Sequence, residues 1–168
     1  RFGSNLTTGD LNTDGKVDLV VGGFGYNPGS AADTGRAYIF YNDGSLPTTA
    51  ATADVIITGN AAGDQFGIFL TVGDLNADGR NDLAVGANTY SSSTGRVYIF
   101  YNDGSIPTTA ATADVTITGE ASSRFGYSLV SGDLDNDGRQ DLIVGADLYS
   151  SSTGRAYIFY NDGSIPTT

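Results

Sequence analysis

Short apolar runs alternate with clusters of Gly, Asn, Asp, Pro, Ser and Thr along the whole chain. No stretch sustains an apolar repeat every three to four residues, so no long amphipathic helix is predicted. The runs fall into four kinds. One follows a Phe-Gly pair, as in FGYSLVSGD. The second reads DLVVGG, DLAVGA or DLIVGA. The third reads RAYIFY or RVYIFY, and the fourth ADVIITG or ADVTITG. Each is rich in β-branched and aromatic residues that fit a pleated, half-buried surface, and turn formers bound it. The prediction is an all-β fold.

The four kinds recur in a fixed order. Residues 35–62 and 95–122 agree at 23 of 28 positions, and a third copy begins at Gly154. Phe-Gly stands at 2–3, 66–67 and 125–126. Asp10, Asp74 and Asp133 each follow the Phe by eight residues. Four strands in a unit of about 60 residues is the pattern of a β-propeller blade. A plain sandwich gives no reason for near-identical units. The expectation is a single repeat domain, 1–168, of antiparallel blades: 1–65, 66–124 and a partial blade 125–168 that lacks its fourth strand. Propellers close with about four to eight blades. Three blades are therefore expected either to be part of a longer propeller or to self-associate. A chain that starts at Arg1 and has no Met fits a processed or longer parent.

Composition removes several chemistries. There is no Cys, hence no disulfide or thiolate, and no His, hence no imidazole base or His-ligated metal. Nineteen acids face eight bases, for a net charge of −11, which disfavours nucleic acid and anionic membranes as partners. No apolar run approaches the roughly 20 residues of a membrane span, so no membrane insertion is expected.

Ten of the 19 acids lie in three loops, DLNTDGKVD, DLNADGRND and DLDNDGRQD. Aligned, they read D-x-[DN]-x-D-G-x-x-D. Oxygen side chains fall at positions 1, 3, 5 and 9: Asp10, Asn12, Asp14 and Asp18; Asp74, Asn76, Asp78 and Asp82; Asp133, Asp135, Asp137 and Asp141. Position 7, at Lys16, Arg80 or Arg139, offers its backbone carbonyl. Calcium takes six to eight hard oxygens in a forgiving geometry, whereas magnesium demands a strict octahedron. The Gly at position 6 permits the sharp turn. Position 12 is Val in all three loops. The bidentate Glu of a helix-loop-helix site is therefore missing, and position 9 must close the cage. About three Ca²⁺ are expected, which would bring the formal charge from −11 to −5. Their role is structural, since no base beyond the ligands is visible and no enzyme is expected. Damage to one loop is expected to stay local, as in other repeat proteins.

Phe-Gly, then the acidic nonapeptide, then a strand ending Gly-Ala resembles the FG-GAP repeat of integrin α-subunit propellers. FG…DLNADGRNDLAVGA and FG…DLDNDGRQDLIVGA carry the likeness, and the first unit departs only with VVGG at 20–23. The resemblance implies a propeller with structural Ca²⁺, located extracellularly or at the cell surface, and adhesion or ligand binding through loops of one face. The family includes lectin-like members, so the implied ligand is a protein or a glycan.

Antiparallel order puts the acidic loops and the Asn-Asp-Gly turns at one end of each blade. The loops at 22–35, 86–95 and 145–154 and the crossings at 59–66 and 119–125 share the other end. There Tyr26, Tyr90 and Tyr149 recur, each followed by Arg36, Arg96 or Arg155. Two readings stand: an aromatic and basic ring for sugars or acidic ligands, or Tyr packed between blades with Arg paired to an acid. The sequon Asn5-Leu6-Thr7 reads as inner strand, and the LPTTAATAD tract as an exposed turn. The free flanks are expected to be apolar, through Leu6, Val20 and Val21 on the first unit and Leu129, Ile143 and Val144 on the third. This leaves a self-assembling structural protein, whose blades join head to tail into a ring or filament, as the alternative function.

Overall fold

A computed structural model describes residues 1–29, 33–46 and 49–167. Part of the 22–35 loop and Pro47-Thr48 of the Thr-rich tract lie outside the described residues. Among the described residues eleven strands form three antiparallel sheets of propeller-blade type. The first holds β1 (Leu6–Gly9), β2 (Asp18–Gly22), β3 (Arg36–Phe40) and β4 (Val55–Thr58). The second holds β5 (Leu70–Gly73), β6 (Asp82–Ala87), β7 (Arg96–Phe100) and β8 (Val115–Thr118). The third holds β9 (Ser128–Gly132), β10 (Asp141–Ala146) and β11 (Arg155–Phe159). Strand order follows chain order in every sheet, and β1, β5 and β9 neighbour one another on the inside. Inner strands are tied across blades. Asn5 Oδ1 accepts from the Leu70 N–H at 3.0 Å, and Ser131 Oγ donates to Val72 O at 2.9 Å. Asn5 of the sequon is therefore engaged between blades.

The blades pack face to face. Val20, Ile39 and Ile57 of the first meet Leu83, Val85, Tyr98 and Phe100 of the second. Ala84, Val97 and Ile99 on the second blade's other face meet Leu142, Val144 and Phe159 of the third. Both faces of a middle strand are buried, which is why DLAVGA is apolar without alternation. This corrects the expected flanks. Val20 and Val144 are buried against neighbouring blades, and Leu129, paired with Val144, packs with them. The outward row of the third blade is Val130, Ile143 and Ile158, which the register places side by side. On the first blade Leu6 and Val21 do share the outward face.

The Phe-Gly pair has a packing role. Phe66 meets Tyr98 and Phe100 edge-on at 5.4 and 6.3 Å, and Phe125 meets Tyr157 and Phe159 in the same way. Phe2 does so with Tyr38 and Phe40. Phe66 and Phe125 are 0% and 1% exposed, whereas Phe2 is 46% exposed. Gly35 and Gly95 sit at positive φ directly against the backbones of Phe66 and Phe125, where a Cβ would collide. The Gly before each third strand therefore lets the next blade's Phe-Gly dock.

Candidate metal centre

The three acidic loops link strands one and two of each blade and share one hydrogen-bond scheme. The position-1 carboxylates of Asp10, Asp74 and Asp133 accept from the N–H of Gly15, Gly79 and Gly138 at 2.9, 2.8 and 3.0 Å. The side-chain oxygens of Asn12, Asn76 and Asp135 accept from the position-5 N–H at 3.1 to 3.2 Å. Asp14, Asp78 and Asp137 accept from the position-7 N–H at 2.8 Å in all three loops. This last bond, with the nearby Lys16 charge, holds Asp14 below its usual carboxylate range. Position 4 is left-handed throughout, at Thr13, Ala77 and Asn136, as is the Gly at position 6. The loops are thus wound so that alternate side chains converge.

Position 9 anchors each loop to its sheet. Asp18, Asp82 and Asp141 are buried. Each spends one oxygen on the N–H of Leu11, Leu75 or Leu134 at 2.7 to 2.9 Å, and the other on the N–H of Asn42, Asn102 or Asn161 at 2.8 to 3.0 Å. Every oxygen keeps a second lone pair. Burial pushes the Asp82 carboxyl up to about 6 despite its two N–H donors, and the charges of Asp78 and Asp74 add to the rise. A carboxylate so placed is relieved by a cation.

The donor set fits one. Carboxylate oxygens of Asp133, Asp135 and Asp141 lie within 4.8 Å of one another. In the first loop Asp10 Oδ1 is buried without a hydrogen-bond partner among the described residues. Carboxylates, an amide oxygen and tight turns are the ligands of a hard divalent ion. Lys16 and Arg139 stand off the rim, 3.5 and 3.8 Å from Asp14 and Asp137.

The other end of the blades holds the Tyr and Arg residues singled out in the sequence. Arg36 stacks on Tyr26, Arg96 on Tyr90 and Arg155 on Tyr149, with guanidinium carbons 3.5, 3.8 and 3.6 Å from the ring centroids. Arg36 and Arg96 donate to Thr58 and Thr118 of strand four, and Arg155 pairs with Glu120 at 2.9 Å. The geometry thus joins each Tyr to its own Arg within one blade. Ser91–Ser93 and Ser150–Ser152 follow in left-handed turns that nothing in the sequence signalled.

Here the two crevices between blades differ. Arg124 of the second crossing forms a two-pronged ion pair with Asp147, with Nε to Oδ1 at 2.9 Å. The first crossing carries Asp64-Gln65 where the second has Ser123-Arg124, and Asn88 stands where Asp147 does. Asp64 Oδ2 and Asn88 Oδ1 are buried without partners among the described residues. Burial raises the Asp64 pKa, with the Arg96 charge opposing. Ala61–Asp64 and Thr89–Ser92 line a depression of about 510 Å³ at this point.

The sequence reading missed Asn42, Asn102 and Asn161, which it took only as turn formers. Their signal was there, since Asn-Asp-Gly follows every third strand.

A family model for the FG-GAP-like repeat matches residues 10–85 and 74–144. The chain belongs to the FG-GAP-like repeat family. Both matches start at the first residue of an acidic loop. Mouse phosphatidylinositol-glycan-specific phospholipase D is 38% identical over 154 residues, 86% of this chain and 18% of that protein. Mouse integrin alpha-IIb is 36% identical over 165 residues, covering 93% of this chain and 16% of the integrin. Human integrin alpha-7 is 39% identical over 150 residues, 86% of this chain and 12% of the relative. The chain therefore spans less than a fifth of the length of these FG-GAP relatives. Among the described residues no helix is long and apolar enough to cross a membrane.

Proposed function

We propose that this FG-GAP chain is a calcium-held propeller segment of an extracellular adhesion or ligand-binding protein, with no catalytic group of its own. The observation that carries it is the carboxylate cradle shared by three successive loops, with Asp10 Oδ1 left without a partner among the described residues in the first. Asp10, Asn12, Asp14 and Asp18 would hold one ion, with Asp74, Asn76, Asp78 and Asp82 holding a second. Asp133, Asp135, Asp137 and Asp141 would hold a third. The carbonyls of Lys16, Arg80 and Arg139 complete the sets. Bound calcium supplies charge neutralisation and a fixed link between strands one and two. The likeness to integrin alpha chains supports adhesion and an extracellular location. The likeness to a phospholipase D covers 18% of that enzyme, and on this reading any chemistry of such a parent lies in its other parts.

The units 1–65, 66–124 and 125–168 act as blades of one repeat domain. Contact with a protein or glycan ligand falls to the end away from the metal, where the pairs Tyr26–Arg36, Tyr90–Arg96 and Tyr149–Arg155 flank the crevices. The test is thermal unfolding with calcium and with excess chelator, metal removal being verified by elemental analysis. Ligation of the native state alone stabilises by about 2.7 kcal/mol per site at a hundredfold excess over Kd. A large fall in Tm on chelation is expected, and an unchanged melting curve contradicts the proposal.

One observation favours a second reading, head-to-tail self-assembly. Val130, Ile158 and Tyr160 are exposed on the third blade, whereas their second-blade equivalents Thr71, Ile99 and Tyr101 are covered by the blade that follows. Light scattering with calcium present decides it. Species larger than 17.3 kDa support assembly, and a folded monomer contradicts it.

A further inference from the structure

The acidic loops do not stand alone. Asn102 sits in the Asn-Asp-Gly turn of the second blade and is buried. Its N–H donates to Asp82 Oδ1 at 2.8 Å, holding position 9 of the second loop. Its side-chain oxygen accepts from the Gly104 N–H at 3.2 Å, which fixes the rotamer. Its side-chain NH₂ crosses to the first blade and donates to Leu11 O at 2.9 Å. Leu11 is residue two of the first acidic loop, and its own N–H is held by Asp18 Oδ2 at 2.7 Å. One asparagine thus touches both metal loops.

The next blade repeats the device. The Asn161 N–H donates to Asp141 Oδ1 at 3.0 Å, and its side chain donates both to Asp74 O, in the second loop, and to Gln140 O of its own blade, each at 3.2 Å. Asn81 adds a parallel tie from the second loop to Asp10 O at 3.2 Å. The first blade supplies an internal control. Asn42 makes the same N–H bond to Asp18, but its side chain reaches Val17 O of its own blade at 3.2 Å.

We infer that Asn102 and Asn161 are positioning residues that couple neighbouring calcium loops, so that filling one site raises the affinity of the next. The inference rests on the calcium reading above. An ion in the first loop fixes Asp18 and the Leu11 peptide between its ligands. That peptide is the acceptor on which the Asn102 side chain rests, and the Asn102 N–H orients Asp82. The second loop then starts with its closing carboxylate in place, which lowers the ordering cost of its own ion. The same steps run from Asp74 through Asn161 to Asp141. Coupling of this kind is reciprocal, so the second site must favour the first by the same factor. On this inference damage to one loop is transmitted to the adjacent blade, against the local damage expected of independent repeats.

The test is a calcium titration of the whole chain followed by NMR. The Gly15, Gly79 and Gly138 amides report the three loops separately, since each donates to a position-1 carboxylate. Asp14→Ala removes the first site. In an otherwise unchanged chain it should weaken calcium at the Gly79 loop by about fivefold or more, the lower end of usual coupling strengths. In an Asn102→Asp, Asn81→Ala background, where position 102 keeps its acceptor but neither side chain can donate to the first loop, Asp14→Ala should leave the Gly79 loop unmoved. Asn42→Asp should preserve the coupling. If that background fails to fold, Asn161→Asp with Asp78→Ala, read at Gly138, supplies the same cycle. Independent titration of the Gly79 loop, before and after Asp14→Ala, overturns the inference. Absence of calcium binding at all three loops refutes the calcium reading itself, so the two failures are distinguishable.

Discussion

The two ends of these blades carry the same number of loops, yet they are under different constraints. At the acidic end the three units share the bonds from the position-1 carboxylate to the position-6 N–H and the buried position-9 brace, and differ at the position-1 Oδ1, which accepts from the position-5 N–H in the second and third loops but not in the first. Even the left-handed residue at position 4 is kept although its identity changes from Thr to Ala to Asn. At the opposite end the units diverge. One crevice is closed by Arg124 and Asp147, and the other holds Asp64 and Asn88 with oxygens that have no partner among the described residues. A cage for a hard ion fixes every donor at once, so repeats that bind the same ion cannot drift there. Loops on a rigid scaffold are free to differ, and such loops are where recognition resides. On the proposed reading, stability belongs to one end and selectivity to the other.

The core beneath both ends gives the largest expected single-residue effect. Phe66→Ala empties a site that is fully buried between two blades and removes two edge-on aromatic contacts. The expected loss is about 3–5 kcal/mol. Phe2→Ala removes the same contacts from a residue that is already half in water, and its loss should stay below about 1.5 kcal/mol. Denaturant titration of both variants checks the pair. Equal losses would mean that Phe-Gly acts within its own blade and not at the joint between blades.

How far the sequence carried the account depends on which bonds are local. The convergence of the acidic loops was legible because all their oxygen side chains fall within nine residues. Blade number and strand order followed from the repeat. The direction of the flanks was not legible, because β2 and β10 are apolar on both faces and give no period-two signal to orient them. The partners of the Tyr and Arg pairs were not legible, because Arg36 and Arg96 bond to Thr58 and Thr118 of strand four, 22 residues away. The reach of Asn102 to Leu11 spans 91 residues and has no local signature. The Arg124–Asp147 pair was missed for the same reason.

A smaller effect sharpens the contrast from the end opposite the acidic loops. Burial raises the Asp64 pKa above its unfolded value, so folding favours the protonated form. The penalty is full at pH values above the raised pKa and vanishes below the ordinary carboxylate value of about 3.9. Asp64→Asn should therefore raise Tm at pH 7, by less than the Phe66 loss. The gain should shrink as pH falls toward 4 with calcium in excess throughout. A destabilised variant at pH 7, or a gain independent of pH, would show that the carboxylate is held by a partner and that this crevice is as constrained as the other.

The central claim is that three loops each hold a calcium ion and that these ions fasten the blades. Calorimetric titration of the metal-stripped chain with calcium tests it most directly. The account predicts three ions per chain, with Asp78→Ala removing one and weakening the flanking sites. Binding of no calcium by the folded wild-type chain, or of a number that Asp78→Ala leaves unchanged, would contradict it.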